Sequence, residues 1–248
     1  MEKIAAEKAG IVKPGCEVAL YQQSAGVEAV VREKCESAGA RLHVADFSQL
    51  APEFDSLEGQ VFTYRGVPYA IPLLGEHQLK NAAVVLEVVE ILRQKGWALP
   101  QDAVEHGLYA VSWPARFELL REEPPFVVDG GHNVQCAETV VDNLRRYFPD
   151  TRRVLLIGVL RDKDYEGMLS VLAPAADAFV CVTPDSPRAL PAEELAAHLE
   201  RYGKPVTACA SIREGVSEAQ DQAGDDAMVC AVGSLYMAGE IRYCMGMY

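Results

Sequence analysis

Val127-Val128-Asp129-Gly130-Gly131-His132-Asn133 is the stretch on which the reading of this chain turns. A short apolar run ends in an acid, two glycines, a histidine and an amide. The ends of strands in open parallel sheets meet ligands in a crevice. Glycines there let the backbone approach a phosphate or sugar, and Asp129 and His132 can face one ligand. Just upstream, Trp113-Pro114-Ala115-Arg116 places an arginine after a rigid turn, which suits a phosphate.

Outward from this stretch, apolar strands alternate with amphipathic helices, the pattern of an α/β protein with a largely parallel sheet. Strands are expected at 117–120, 126–128, 154–157, 178–182, 206–209 and 227–232. Helices are expected at 135–147, 165–172, 192–202, 212–220 and 235–244. Together these make a Rossmann-like domain, bounded at residues 113–248. Residues 1–112 read differently. A helix already in progress is followed by a strand at 17–21, a helix at 27–37 and a strand at 41–44. A hairpin at 60–71 and helices at 81–95 and 101–109 complete this part. So little sheet covers an α/β core poorly; this part is either an add-on or lacks its N-terminal half.

Half of the 248 residues are hydrophobic and the formal charge is −13. That balance argues against nucleic acid and anionic membranes as partners, since both call for a basic face. Seven cysteines show no C-x-x-C spacing, so a zinc or redox motif is not expected; they read as buried, reduced thiols of a cytoplasmic protein. No apolar run is long enough to span a bilayer, and the N-terminus lacks a signal-peptide core.

Three further strings carry charge in suggestive places. Glu7-Lys8-Ala9-Gly10-Ile11-Val12-Lys13-Pro14-Gly15 reads on its own as a helix end with a glycine cap. Leu74-Gly75-Glu76-His77-Gln78-Leu79-Lys80-Asn81 is either an anion- or base-binding helix start or an N-cap at Asn81. Gly158-Val159-Leu160-Arg161-Asp162-Lys163-Asp164 is a strand end followed by charges, and equally a solvated loop.

Taken together and in order, down to Gly233-Ser234-Leu235-Tyr236, these strings resemble the folylpolyglutamate synthase / dihydrofolate synthase family, a branch of the Mur ligase superfamily. The resemblance implies a P-loop ATPase domain, of which residues 1–112 would be the end, followed by the Rossmann-like domain at 113–248. It implies ligation of L-glutamate to a folate or dihydropteroate through an acyl phosphate, with ATP and Mg²⁺. Lys8 matches a lysine often carbamylated in the family, and a carbamate could hold Mg²⁺. His77, Gln78 and Asn81 match a string that contacts the nucleotide. Arg116 matches an arginine reaching the ATP phosphates, Asp129 and His132 match the loop that closes on the nucleotide, and Lys163 lies in a string with a substrate-binding role.

This sequence departs from the family pattern at three positions. Gly131 stands where alanine is common, which should only loosen the loop; Val134 replaces a proline, and Ala115 a glycine. A P-loop needs G-x-x-x-x-G-K-[S/T], and the only Gly-Lys here, Gly203-Lys204, is followed by Pro205. The chain is therefore expected to be the C-terminal part of the enzyme, inactive alone, with the missing N-terminal half as its partner. A first domain cut short would expose strand edges and favour self-association. Rival readings are another Mur-type amino acid ligase and a non-catalytic nucleotide-binding module.

Overall fold

The computed structural model describes residues 1–247. The chain forms two units: Met1–Pro72 with Glu76–Val111, and Leu73–Gly75 with the chain from Ser112 onward.

The first unit contains α1 (Glu2–Lys8), β1 (Glu17–Tyr21), α2 (Ala25–Ala38), β2 (Arg41–Ala45), β3 (Leu50–Ser56), β4 (Gly59–Tyr64), β5 (Val67–Ile71), α3 (Glu76–Gln94) and α4 (Gln101–Tyr109). β1 and β2 pair in parallel, joined by α2, which stops at Gly39. That glycine takes φ 61°, and its N–H reaches back to the carbonyls of Cys35 and Glu36, a left-handed cap that glycine adopts most readily. Val31 and Cys35 of α2 bury with Val12 beneath the strands.

β3, β4 and β5 form an antiparallel sheet. The Arg65-Gly66 turn has positive φ at both residues, 51° and 78°, which matches the twist of a two-residue hairpin. The hairpin docks on α3 through one buried acid. Glu87 is 4% exposed; it accepts a hydrogen bond from the Tyr64 hydroxyl at 2.6 Å and pairs with Arg65 at 2.6 Å. Burial, reinforced by Glu87, pushes the Tyr64 phenol up to about 12.

Two expectations for this unit are corrected. β3 was not expected, because Pro52 and three acidic or polar neighbours mask it. It is an edge strand with a register shift between Pro52 and Phe54, where a proline is tolerated. α3 begins at Glu76 rather than Asn81. Leu79, Ala82, Ala83 and Leu86 bury at helical spacing, and Glu76 pairs with Lys80 one turn on at 2.7 Å. Asn81 is thus inside the helix and is not its N-cap.

The second unit contains β6 (Glu118–Arg121), β7 (Phe126–Asp129), α5 (Val134–Tyr147), β8 (Arg152–Ile157), α6 (Tyr165–Leu172), β9 (Ala178–Cys181), α7 (Ala192–Leu199), β10 (Val206–Ala208), α8 (Ile212–Ala223), β11 (Ala227–Val232) and α9 (Leu235–Cys244). Its sheet has the order β10-β9-β8-β11-β7-β6. The first five strands run parallel and β6 runs antiparallel to β7. This is the α/β, mainly parallel Rossmann-like architecture that the alternation implies.

Strand residues alternate between two cores. Leu155, Phe179 and Cys230 face α5, α6 and α7. Leu156, Val180 and Val229 face α8 and α9. All six residues of β11 are buried, as a central parallel strand requires. Each such aliphatic or aromatic side chain contributes about 1.5–3 kcal/mol on burial. β7, β8 and β11 end side by side, so the loops after Asp129, Ile157 and Val232 share one edge of the sheet.

All seven cysteines are free. Cys35, Cys181, Cys209 and Cys230 are buried as expected, but Cys16, Cys136 and Cys244 are only partly so. Burial raises the Cys181 thiol to about 12 and raises Cys230 further, so both stay protonated. Among the described residues no helix is long and apolar enough to cross a membrane.

Two helical glycines of the second unit should respond oppositely to alanine. A Cβ at Gly215 would lie 2.2 Å from Val182 Cγ1, whereas one at Gly239 would meet nothing within 4 Å. In denaturant titrations, Gly215→Ala should lose about 1–3 kcal/mol through overpacking. Gly239→Ala should gain about 0.5–1 kcal/mol from helix propensity. Equal shifts in the two variants would contradict the packing described.

Candidate functional site

The loop after β7 is organised by the carboxylate of Asp129. Its Oδ1 accepts from the Gly131 amide at 2.7 Å, and its Oδ2 accepts from the Phe117 amide at 2.9 Å. One side chain therefore ties its own loop to the Trp113–Phe117 loop. A backbone bond from Gly130 N–H to the Ala115 carbonyl, 2.9 Å, closes the join. Burial holds the Asp129 carboxyl above the usual carboxylate range. The Gly131 and Phe117 amides, with the charges of Arg116 and His132, act against that shift.

Arg116 stands between two residues with positive φ, Ala115 at 57° and Phe117 at 44°. Neither is glycine, and each such residue costs about 1–2 kcal/mol. Ala115 and Phe117 are buried, while Arg116 is exposed. The backbone is thus wound so that two apolar residues turn inward and the guanidinium turns out. Among the described residues no side chain forms a hydrogen bond or ion pair with it.

His132 Nδ1 lies 3.2 Å from the Gly130 carbonyl. A carbonyl only accepts, so Nδ1 carries the proton and Nε2 is left to meet an outside partner. Asn133 caps α5, its side chain accepting from the Cys136 amide at 2.8 Å. No acid occupies the first turn of α5 itself.

The glycines of this loop also lie close against the chain's own atoms. A Cβ on Gly130 would fall 2.2 Å from Leu235 Cδ2, and one on Gly131 would fall 2.6 Å from Cys136 Cβ. Atoms of this chain lie at both places: at Gly130 the end of the half-exposed Leu235 side chain would have to shift, and at Gly131 a side chain would press on Cys136 and on the Asp129 carboxylate.

In the loop after β8, Arg161 makes a two-point pair with Glu194, both contacts 2.9 Å. Asp162 pairs with Arg188 at 2.8 Å, and Asp164 caps α6 by accepting from Gly167 at 3.0 Å. Lys163 is half-buried and, among the described residues, its ammonium has no ion-pair partner. Gly233, after β11, crosses so close to β8 that a Cβ would lie 2.4 Å from the Gly158 carbonyl oxygen.

The remaining expected residues belong to the first unit. Lys8 ends α1 and is exposed; the chain continues through a 3₁₀ turn at Ala9–Ile11, so Gly10 is not a left-handed cap. Gln78 is buried and its Oε1 accepts from Asn81 Nδ2 at 3.0 Å. His77 is half-buried one residue earlier on α3. Within the second unit, Arg116, Asp129 and His132 lie close together. Glu118 and Arg242, which brace these loops, carry no signal in the sequence; Leu235, packed over Gly130, stands in the Gly233-Ser234-Leu235-Tyr236 string.

Residues 115–235 match the model described as Mur ligase, glutamate ligase domain. The dihydrofolate synthase/folylpolyglutamate synthase of Bacillus subtilis is 28% identical over 98% of this chain and 57% of its own length. The folylpolyglutamate synthase of Lacticaseibacillus casei is 31% identical over 96% of this chain and 56% of its own length. A Mycobacterium tuberculosis folylpolyglutamate synthase, solved in complexes with ADP and AMPPCP, superposes with a TM-score of 0.87 at 32% identity. That match covers 99% of this chain and 59% of the other.

The second unit is therefore of the Mur ligase type. The chain belongs to the folylpolyglutamate synthase / dihydrofolate synthase family and spans a little over half the length of the relatives it matches.

Ala115 offers a direct test of the strained loop. Ala115→Gly removes the penalty of its positive φ and should stabilise the second unit by about 1 kcal/mol, seen as a rise of about 2–4 °C in its melting midpoint. A fall would mean that the buried methyl group outweighs the backbone strain.

Proposed function

We propose that this chain carries the nucleotide-closing part of a cytoplasmic, ATP-dependent ligase that joins L-glutamate to the carboxylate of a folate or of dihydropteroate. Residues 1–112 are the end of the ATPase domain in this reading, and residues 113–248 are the C-terminal domain. The observation that carries it is the outward, unpaired Arg116, held between two strained residues on a loop locked to Asp129-Gly130-Gly131-His132. An arginine fixed in this way suits an anionic oxygen cluster such as a nucleotide's phosphates.

The reaction in this reading has two steps. A substrate carboxylate oxygen attacks the γ-phosphorus of ATP, forming an acyl phosphate and releasing ADP. The glutamate nitrogen then attacks the acyl carbon, loses a proton, and phosphate leaves. Negative charge grows at phosphorus, so Arg116 stabilises the transition more than the ground state. His132 Nε2, the ring nitrogen not used by the loop, is the one that meets the bound nucleotide. Asp129 meets the loop amides with both oxygens and sets the position of the other two. Lys163 supplies an uncommitted cation for a substrate carboxylate. In the first unit, Gln78 orients Asn81 beside His77 for the nucleotide.

Among the described residues no three His, Cys, Asp or Glu side chains are grouped to hold a metal ion. Mg²⁺ characteristically binds through phosphates and one or two carboxylates rather than an all-protein cage. It would arrive with ATP, and a carbamate on Lys8 would add a ligand.

A chimera supplying the segment of a full-length relative that this chain does not match gives the test. It should release ADP in a folate- and glutamate-dependent manner, and Arg116→Ala should lower turnover by about 10²–10³-fold while leaving the melting midpoint unchanged. Turnover equal to that of the unsubstituted chimera would overturn the role given to Arg116.

A further inference from the structure

α9 touches the candidate site at both ends. At its start, the Leu235 side chain fills the space over Gly130. In its last turn, Arg242 pairs with Glu118 of β6, and both side chains are about one-fifth exposed. Glu118 uses its other oxygen: Oε2 accepts from the Ala115 amide at 2.8 Å. The amides of Ala115 and Phe117, on either side of Arg116, are thus each held by a carboxylate, Glu118 for one and Asp129 for the other. The Ala115 carbonyl is held by Gly130.

This bracing answers a specific mechanical need. Two non-glycine residues in the left-handed region, one on either side of Arg116, unwind unless the surroundings over-determine them. Asp129 fixes the downstream side of Arg116. Glu118 fixes the upstream side, but its side chain could swing toward solvent. Arg242 removes that freedom by pairing with the oxygen that Ala115 does not use. A half-buried pair of this kind, with one oxygen also on a backbone amide, is geometrically more demanding than a surface ion pair.

We infer that Glu118 and Arg242 are positioning residues that set the aim of Arg116, α9 serving as the rod that joins this brace to the Asp129–His132 loop. The inference rests on the reading of Arg116 as a phosphate ligand. It adds that phosphate affinity is controlled by a pair that does not touch the phosphate.

A double-mutant cycle on the full 248-residue chain tests it, with Mg·ADP as the titrated probe. Arg242→Ala should weaken Mg·ADP binding by about tenfold, since small misplacements of a binding group carry large losses. Arg242→Lys, which keeps the charge, should restore most of the affinity. In an Arg116→Ala background, Arg242→Ala should change affinity by less than about twofold, because its effect passes through Arg116. A purely structural role would give equal losses in both backgrounds, and that result overturns the inference alone. If Arg116→Ala leaves Mg·ADP binding unchanged, the phosphate reading itself fails and this inference with it. Should Arg242→Ala not fold, Glu118→Gln provides the same cycle, and faster hydrogen exchange confined to the Ala115 and Phe117 amides reports the loosened brace. Unchanged exchange at those amides also overturns it.

Discussion

The two-handed grip of the Asp129 carboxylate is the constraint on which the rest of the site depends. One oxygen holds its own loop and the other holds the loop of Arg116. A hydrogen bond to a charged group contributes about 1.5–3 kcal/mol, against about 1–2 kcal/mol for each non-glycine residue in the left-handed region. Two such bonds, with the Gly130–Ala115 bond and the Glu118 contact beside them, outweigh the strain at Ala115 and Phe117. The strained winding persists for that reason, and it turns the charged side chain of Arg116 outward. The cost of burying Asp129 appears in its raised pKa.

The sheet places this grip. β7 delivers Asp129 to the edge where β8 and β11 also end, and the next residues of β8 and β11 are glycines packed against each other. Lys163 follows from β8 and Leu235 from β11. The chemistry proposed for the chain is therefore gathered by strand order, from segments that are far apart in sequence. The order of the same strings along the chain accompanies 28–32% identity to folylpolyglutamate and dihydrofolate synthases.

Much of this was legible in the sequence, for physical reasons that differ by element. The second unit's strands are apolar runs of the right length between amphipathic helices; β11 could be placed to the residue because it is buried throughout, and α6 because Met168, Leu169 and Leu172 bury at helical spacing. β3 was hidden because an edge strand need not look apolar and can hold Pro52. The start of α3 was hidden because Glu76-His77-Gln78 has the composition of a loop. Asp129 and His132 were readable from their place after a strand. The close packing at Gly130 and Gly131 was not, since nothing in the sequence pairs them with Leu235 and Cys136. Glu118 and Arg242 lie 124 residues apart, and each alone is an ordinary surface charge. Nor do Ala115 and Phe117 announce positive φ, being residue types that avoid it.

The most direct test of the account is an amide NMR map of the chain titrated with Mg·AMPPCP. The account requires the largest shift changes in the second unit to fall at residues 115–117 and 130–134, with smaller changes along the start of α9. Changes centred elsewhere on the second unit, with those two loops silent, would contradict the claim that they form a single nucleotide-facing site.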